Sequence, residues 1–187
     1  MSDVNGQHTG RDGRDGRAAQ VLELGAAADL PVTGEIRVNN GPIAGIDVTA
    51  DGRRLIVTNY GDCSVSVIDT GTCRVLGTIA GVAEPFAIAS SSAQADRAYI
   101  SMVSPAYDSI GVVDVATNSV VATHPLTLSV SDLTVSPDGR YVYASRNGTR
   151  GADVAVLDTT TGRVAAIDIA ITPGTTAECV RISSDGA

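Results

Sequence analysis

Tryptophan and lysine are missing from this 187-residue chain, and phenylalanine occurs once. Aromatic residues make up 3% and the formal net charge is −8. Few rings to stack on bases and a surplus of negative charge argue against nucleic acid as a partner. No apolar run approaches the roughly 18 residues that span a bilayer, so no membrane span is expected. The cysteines, Cys63, Cys73 and Cys179, are odd in number and lack metal-ligand spacing. They exclude a disulfide framework or a zinc site and read as three free thiols, small apolar residues within strands. His8 and His124 are isolated. There is no G-x-S-x-G elbow, phosphate-binding loop or G-x-G-x-x-G run, so no catalytic residue, metal or cofactor is assigned.

The chain is nevertheless 43% hydrophobic, enough for a sizeable core. Its order emerges from three landmarks in one phase. Segments 65–69 (Val-Ser-Val-Ile-Asp), 111–114 (Gly-Val-Val-Asp) and 154–158 (Val-Ala-Val-Leu-Asp) end alike, with aspartates 45 and 44 residues apart. Asp-Gly recurs at Asp51-Gly52, Asp138-Gly139 and Asp185-Gly186, with a degraded copy at Asp96-Arg97. An apolar alternation precedes each: Ile46/Val48, Phe86/Ile88, Leu133/Val135 and Val180/Ile182. Val, Ile, Thr and Tyr at period two, punctuated by turn residues, predict four short strands per repeat. Four strands every 44 to 45 residues predict an all-β propeller of four-stranded antiparallel blades. The blades are expected at about 43–80, 86–125 and 132–170, after a polar tail over 1–19. Strands within 20–40 would belong to a closing blade, and 179–183 would be the first strand of a further one. On this reading the remaining blades come from a longer chain, and the open arc self-associates through unfinished sheets. Residues 1–17 carry no apolar leader, which points to a cytoplasmic location.

Residues 55–70 (Leu-Ile-Val-Thr-Asn-Tyr-Gly-Asp-Cys-Ser-Val-Ser-Val-Ile-Asp-Thr) resemble the YVTN-type β-propeller repeat of the bacterial, lactonase-like seven-bladed superfamily. Residues 136–143 (Ser-Pro-Asp-Gly-Arg-Tyr-Val-Tyr) resemble its opening, and 161–164 (Thr-Gly-Arg-Val) its last turn. The resemblance covers roughly residues 34–187 and implies a fold rather than one activity, since such propellers include lactonases, quinoprotein-like subunits and binding proteins. It also implies that the loops after the second and fourth strands share one face around a central channel. On that rim the candidate ligand-binding residues are Asn59, Tyr60, Asp62, Glu84, Asp108, Asp132, Arg146, Arg150 and Glu178, with Asn39 and Tyr107 beside them. Two functions follow. One is a non-catalytic propeller holding a protein or small molecule on its channel-side loops. The other is a lactonase- or hydrolase-type enzyme whose carboxylates converge from several blades.

Overall fold

Asp-Gly turns and period-two alternation do build strands here. A computed structural model describes residues 34–38, 41–104, 107–127, 129–149, 151–170, 172 and 174–186. All described strands lie in the unit Ile36–Ala187. The first sheet runs β1 (Ile43–Val48), β2 (Arg54–Asn59), β3 (Ser64–Asp69) and β4 (Arg74–Ala80). The second comprises β5 (Pro85–Ser90), β6 (Arg97–Met102), β7 (Ser109–Asp114) and β8 (Ser119–Pro125). The third comprises β9 (Ser129–Val135), β10 (Tyr141–Gly148), β11 (Gly151–Asp158) and β12 (Val164–Ala170). Each sheet is four-stranded with its strands hydrogen-bonded in chain order, every pair antiparallel. The only described helical element is a single 3-10 turn, Tyr60–Asp62.

The repeat is held by local bonds. In the first blade Thr49 Oγ1 donates to Asp51 Oδ1 at 2.7 Å while the same oxygen accepts Arg53 N at 3.0 Å. In the third, Ser136 Oγ donates to Asp138 Oδ1 at 2.5 Å, and that oxygen accepts Arg140 N at 3.0 Å. Ser183 Oγ repeats the bond to Asp185 Oδ1 at 2.6 Å. Gly52 and Gly139 then take φ of +71°, the region a side chain resists. At the other hairpin the strand-ending aspartates accept turn amides: Thr72 N to Asp69 at 2.8 Å, Thr117 N to Asp114 at 2.9 Å and Thr160 N to Asp158 at 2.9 Å. Arg54, Arg97 and Arg140 pair with these three carboxylates in turn.

Hydrogen bonds to the ionised form hold five of these turn aspartates below the ordinary carboxylate range, from Thr49 on Asp51, Thr72 on Asp69, Thr117 on Asp114, Ser136 on Asp138 and Thr161 on Asp158. A group whose native pKa is depressed stabilises the fold above its unfolded pKa and loses that contribution as pH falls through the native value. The urea midpoint is therefore expected to stay flat from about pH 7 to about pH 5 and to fall below about pH 4. Asp69→Asn should blunt the decline; a flat midpoint down to about pH 3 would contradict the assignment.

Between sheets the packing is apolar and thin. Ile56, Val65 and Val67 of blade 1 meet Ala98, Ile100 and Val113 of blade 2. Tyr99 and Ile110 of blade 2 meet Leu133, Val142, Ala144 and Leu157 of blade 3. The first strands lie innermost, β1 beside β5 and β5 beside β9. Their approach needs a glycine. A Cβ on Gly45 would stand 2.7 Å from Phe86 O and 2.9 Å from Ile88 Cγ2. The same junction is sealed by Thr58 Oγ1 donating to Phe86 O at 2.8 Å, and by Ser90 N donating to Asp47 Oδ2 at 2.6 Å.

Several details differ from the sequence reading. The third blade opens at Ser129, earlier than 132, because the ladder to β10 continues past a register shift. Residues 179–183 join no described ladder. This part of the chain rests on side chains of blade 3, with Val180 N donating to Asp132 Oδ2 at 3.1 Å and, just ahead of it, Ala177 N to Asn147 Oδ1 at 2.7 Å. Of the closing strands expected within 20–40, only 34–38 are described, and they carry no ladder; the tail over 1–19 lies outside the described residues. The cysteines are free, as expected, but none is a strand residue. Cys63 and Cys73 adopt left-handed φ of 51° and 54° at the residue before β3 and β4, where they reverse the chain rather than fill a core.

Candidate functional site

The loops β2–β3, β4–β5, β6–β7, β8–β9 and β10–β11 all emerge at one end of the blades, as antiparallel strand order requires. That rim gathers most of the candidate residues, but many are already committed to the fold. Asn59, 3% exposed, closes the end of β2 by donating from Nδ2 to Ser64 Oγ at 3.0 Å and Ser66 Oγ at 2.9 Å. Asp108, also buried, accepts Val130 N on Oδ2 at 2.9 Å and so pins the loop that enters blade 3. Arg146 is 6% exposed and grips Asp153 with two bonds of 2.8 Å, from Nε and Nη2. Asp132 receives Val180 N and the Arg181 guanidinium, and its proximity also pushes the Cys179 thiol up. Glu178 is exposed in the segment that crosses blade 3. Asp62 ends the 3-10 turn and is partly buried. Asn39 and Arg150 lie outside the described residues.

A different group stands clear of such commitments. Tyr60 is 40% exposed, Phe86 45% and Tyr107 50%. Their rings come from the β2–β3 loop, the start of β5 and the β6–β7 loop, all on this rim. Tyr60 and Phe86 meet edge to face, centroids 6.4 Å apart and planes at 84°. The Tyr60 hydroxyl donates to Glu84 Oε2 at 3.2 Å, and that bond raises the phenol above its usual value. Glu84 itself sits at φ 33° ahead of Pro85, so the turn presenting it is set by backbone shape. Gly61 lets the chain entering β1 pass close beneath the 3-10 turn: a Cβ there would lie 2.6 Å from Pro42 Cδ. The remaining aromatics, Tyr99, Tyr141 and Tyr143, are buried or half-buried. In a chain with one Phe and five Tyr, every strongly exposed described ring is on one rim.

Nearer the axis, the inner strands border a space of about 290 Å³ that holds Asp47, Ser90, Asp132 and Arg181. Asp132 first, and Asp47 more weakly, raise the Arg181 guanidinium further. Asp47 and Arg181 were not among the sequence candidates. The signal available was an acid between the apolar alternating positions of an inner strand, Ile46 and Val48, since such a residue must face either a bond or the channel. Among the described residues no three His, Cys, Asp or Glu side chains converge as a metal-ligand set. No described helix is long and apolar enough to cross a membrane.

No family model matches the chain. A seven-bladed beta-propeller protein of Mycobacterium tuberculosis is 57% identical over 183 residues, covering 97% of this chain and 46% of that protein. A seven-bladed beta-propeller protein of Mycolicibacterium smegmatis is 40% identical over 77 residues, 41% of this chain and 21% of that one. The chain thus spans about half the length of the first of these relatives. A chain of the Kuenenia stuttgartiensis hydrazine synthase superposes with a TM-score of 0.68 at 24% identity, over 82% of this chain and 44% of that one, a likeness of fold alone. Three consecutive four-stranded blades stacked on thin apolar layers, together with that kinship, make this chain a length of β-propeller.

Proposed function

We propose that this stretch of propeller is a recognition surface, using the loops after the second and fourth strands to hold a protein or small ligand. The observation that carries this reading is the gathering of Tyr60, Phe86 and Tyr107 on one rim of an aromatic-poor chain. Rigid aromatic side chains offer large contact area at low entropic cost and are enriched at binding hot spots. Glu84 adds a charge that fixes orientation beside the Tyr60 hydroxyl. Meanwhile Asn59, Asp108 and Arg146 are spent on the blades and are better read as supports for the loops than as ligand contacts.

The test places a photo-crosslinking phenylalanine analogue at position 60, at 107, or at Thr70 on the opposite rim, in the producing cell. Discrete adducts are expected from 60 and 107 and not from 70. Because both rings are partly exposed, Tyr60→Ala combined with Phe86→Ala should lower the urea midpoint only modestly while weakening the adduct partner's binding by about tenfold or more. Equal crosslinking from both rims would overturn the proposal. The enzyme reading is favoured by one feature, the two carboxylates Asp47 and Asp132 bordering the axis with Arg181. It requires lactone turnover that Asp132→Asn abolishes.

A further inference from the structure

We propose that the groove between the outer halves of blades 2 and 3 is a binding site for a small monocarboxylate with a short alkyl tail. The groove holds about 490 Å³ and is distinct from the aromatic rim. Its cation is Arg97, the first residue of β6. Ala98 points into the layer with blade 1, so strand alternation turns Arg97 and Tyr99 toward blade 3.

The Arg97 fork is not used up by the fold. Nη1 stands 3.1 Å from Asp114 Oδ2, a buried ion-pair contact that is not aligned as a hydrogen bond. The other oxygen of that carboxylate is occupied by Thr117 N at 2.9 Å. The equivalent arginine of blade 1 behaves differently: Arg54 Nη1 donates to Asp69 Oδ2 at 2.7 Å and to Arg53 O at 3.3 Å. The Arg97 side chain remains 33% exposed and lines the groove, so a ligand carboxylate can approach its charge from there.

The rest of the lining suits one anion class. The turn after β11 brings Thr160 and Thr161 to the opposite bank, where Thr159 holds the Tyr99 hydroxyl. The His124 ring closes the space beneath Gly162, whose added Cβ would stand 3.2 Å from Cε1. Val112, Val121 and Ala122 supply an apolar wall, and no Asp or Glu lines the groove although the chain carries a net charge of −8. The groove between blades 1 and 2 is lined without any charged side chain, although Arg54 holds the equivalent position in its blade, so what is particular to this site is that the repeat's arginine lines the groove. A planar guanidinium matches the two oxygens of a carboxylate, the threonines flank the head group, and the valine wall takes methylenes.

Equilibrium dialysis of the chain against radiolabelled acetate, butyrate and hexanoate tests this and reads binding whatever the oligomeric state. Saturable binding is expected, tightening about three- to fourfold per added methylene until the wall is covered. Arg97→Gln should weaken hexanoate at least about tenfold, while Arg54→Gln should leave it unchanged. Val121→Glu, which sets a carboxylate in an exposed part of the wall, should weaken it similarly without touching the Arg97–Asp114 pair, and so keeps the test open if Arg97→Gln does not fold. Binding indifferent to both groove variants, binding without dependence on tail length, or none with hexanoate would overturn the assignment.

Discussion

Replacing Arg146 by alanine is expected to destabilise the chain by about 3–5 kcal/mol, the largest effect of any single charge removal here. The side chain is 7% exposed and its partner Asp153 16%, and the pair is bidentate, with both bonds at 2.8 Å. The two residues face each other directly across β10 and β11. Removing the guanidinium leaves a carboxylate desolvated and unpaired, which costs far more than the pair contributes. The exposed pair Arg53–Asp51, at 3.9 Å, has no such leverage, because water replaces either partner. Urea unfolding of the single variant measures the loss. The double replacement Arg146→Met with Asp153→Leu should recover most of it, since no buried charge then remains. A single variant within about 1 kcal/mol of the parent would show that water already reaches Asp153.

The second large effect is Ile100→Ala, expected to cost about 4 kcal/mol. Ile100 is fully buried in the layer where β6 of blade 2 faces Ile56, Val65 and Val67 of blade 1. Its ladder partner is Gly111, and a Cβ on that glycine would stand 3.1 Å from Ile100 Cγ1 and 3.0 Å from Met102 Sδ. Isoleucine and methionine therefore already fill the volume that a side chain at 111 would occupy. Truncating Ile100 opens a cavity beside a position with nothing to move into it, and two flat sheets pinned at Thr58 and Asp47 cannot close the gap. Ile100→Val removes one methylene and should cost only about 1 kcal/mol. Urea midpoints with an unchanged slope check both; equal effects of the two variants would mean the layer collapses around the loss.

How far the candidate rim could be read in advance depended on the range of the bonds involved. Tyr60, Glu84 and Tyr107 could be placed in the rim loops in advance because loop position follows from strand order, which the repeat supplies. That Asp108, Asn59 and Arg146 were fold-holding and not free was hidden, because Asp108 bonds Val130, twenty-two positions away, and Arg146 bonds Asp153 only once the β10–β11 register is known. Phe86 entered the sequence reading only as an apolar strand residue. Its exposure follows from standing at the open end of β5, where the edge of the Tyr60 ring is its neighbour.

The repeat period, the strand order within each blade and the chemistry of both hairpin turns were present in the chain as a string of residues. Those features rest on contacts two to five positions apart, such as Thr49 to Asp51 and Ser136 to Tyr141, so local spacing encodes them. The junctions between blades were not. Asp47 reaches Ser90 over 43 positions and Asp132 reaches Val180 over 48, and the groove at Arg97 needs a turn more than sixty residues further along. The left-handed turns at Cys63 and Cys73 carried no glycine to announce them. Such pairings have no signature in spacing, because they exist only after two sheets have stacked and one sheet's side chains have replaced the other's water.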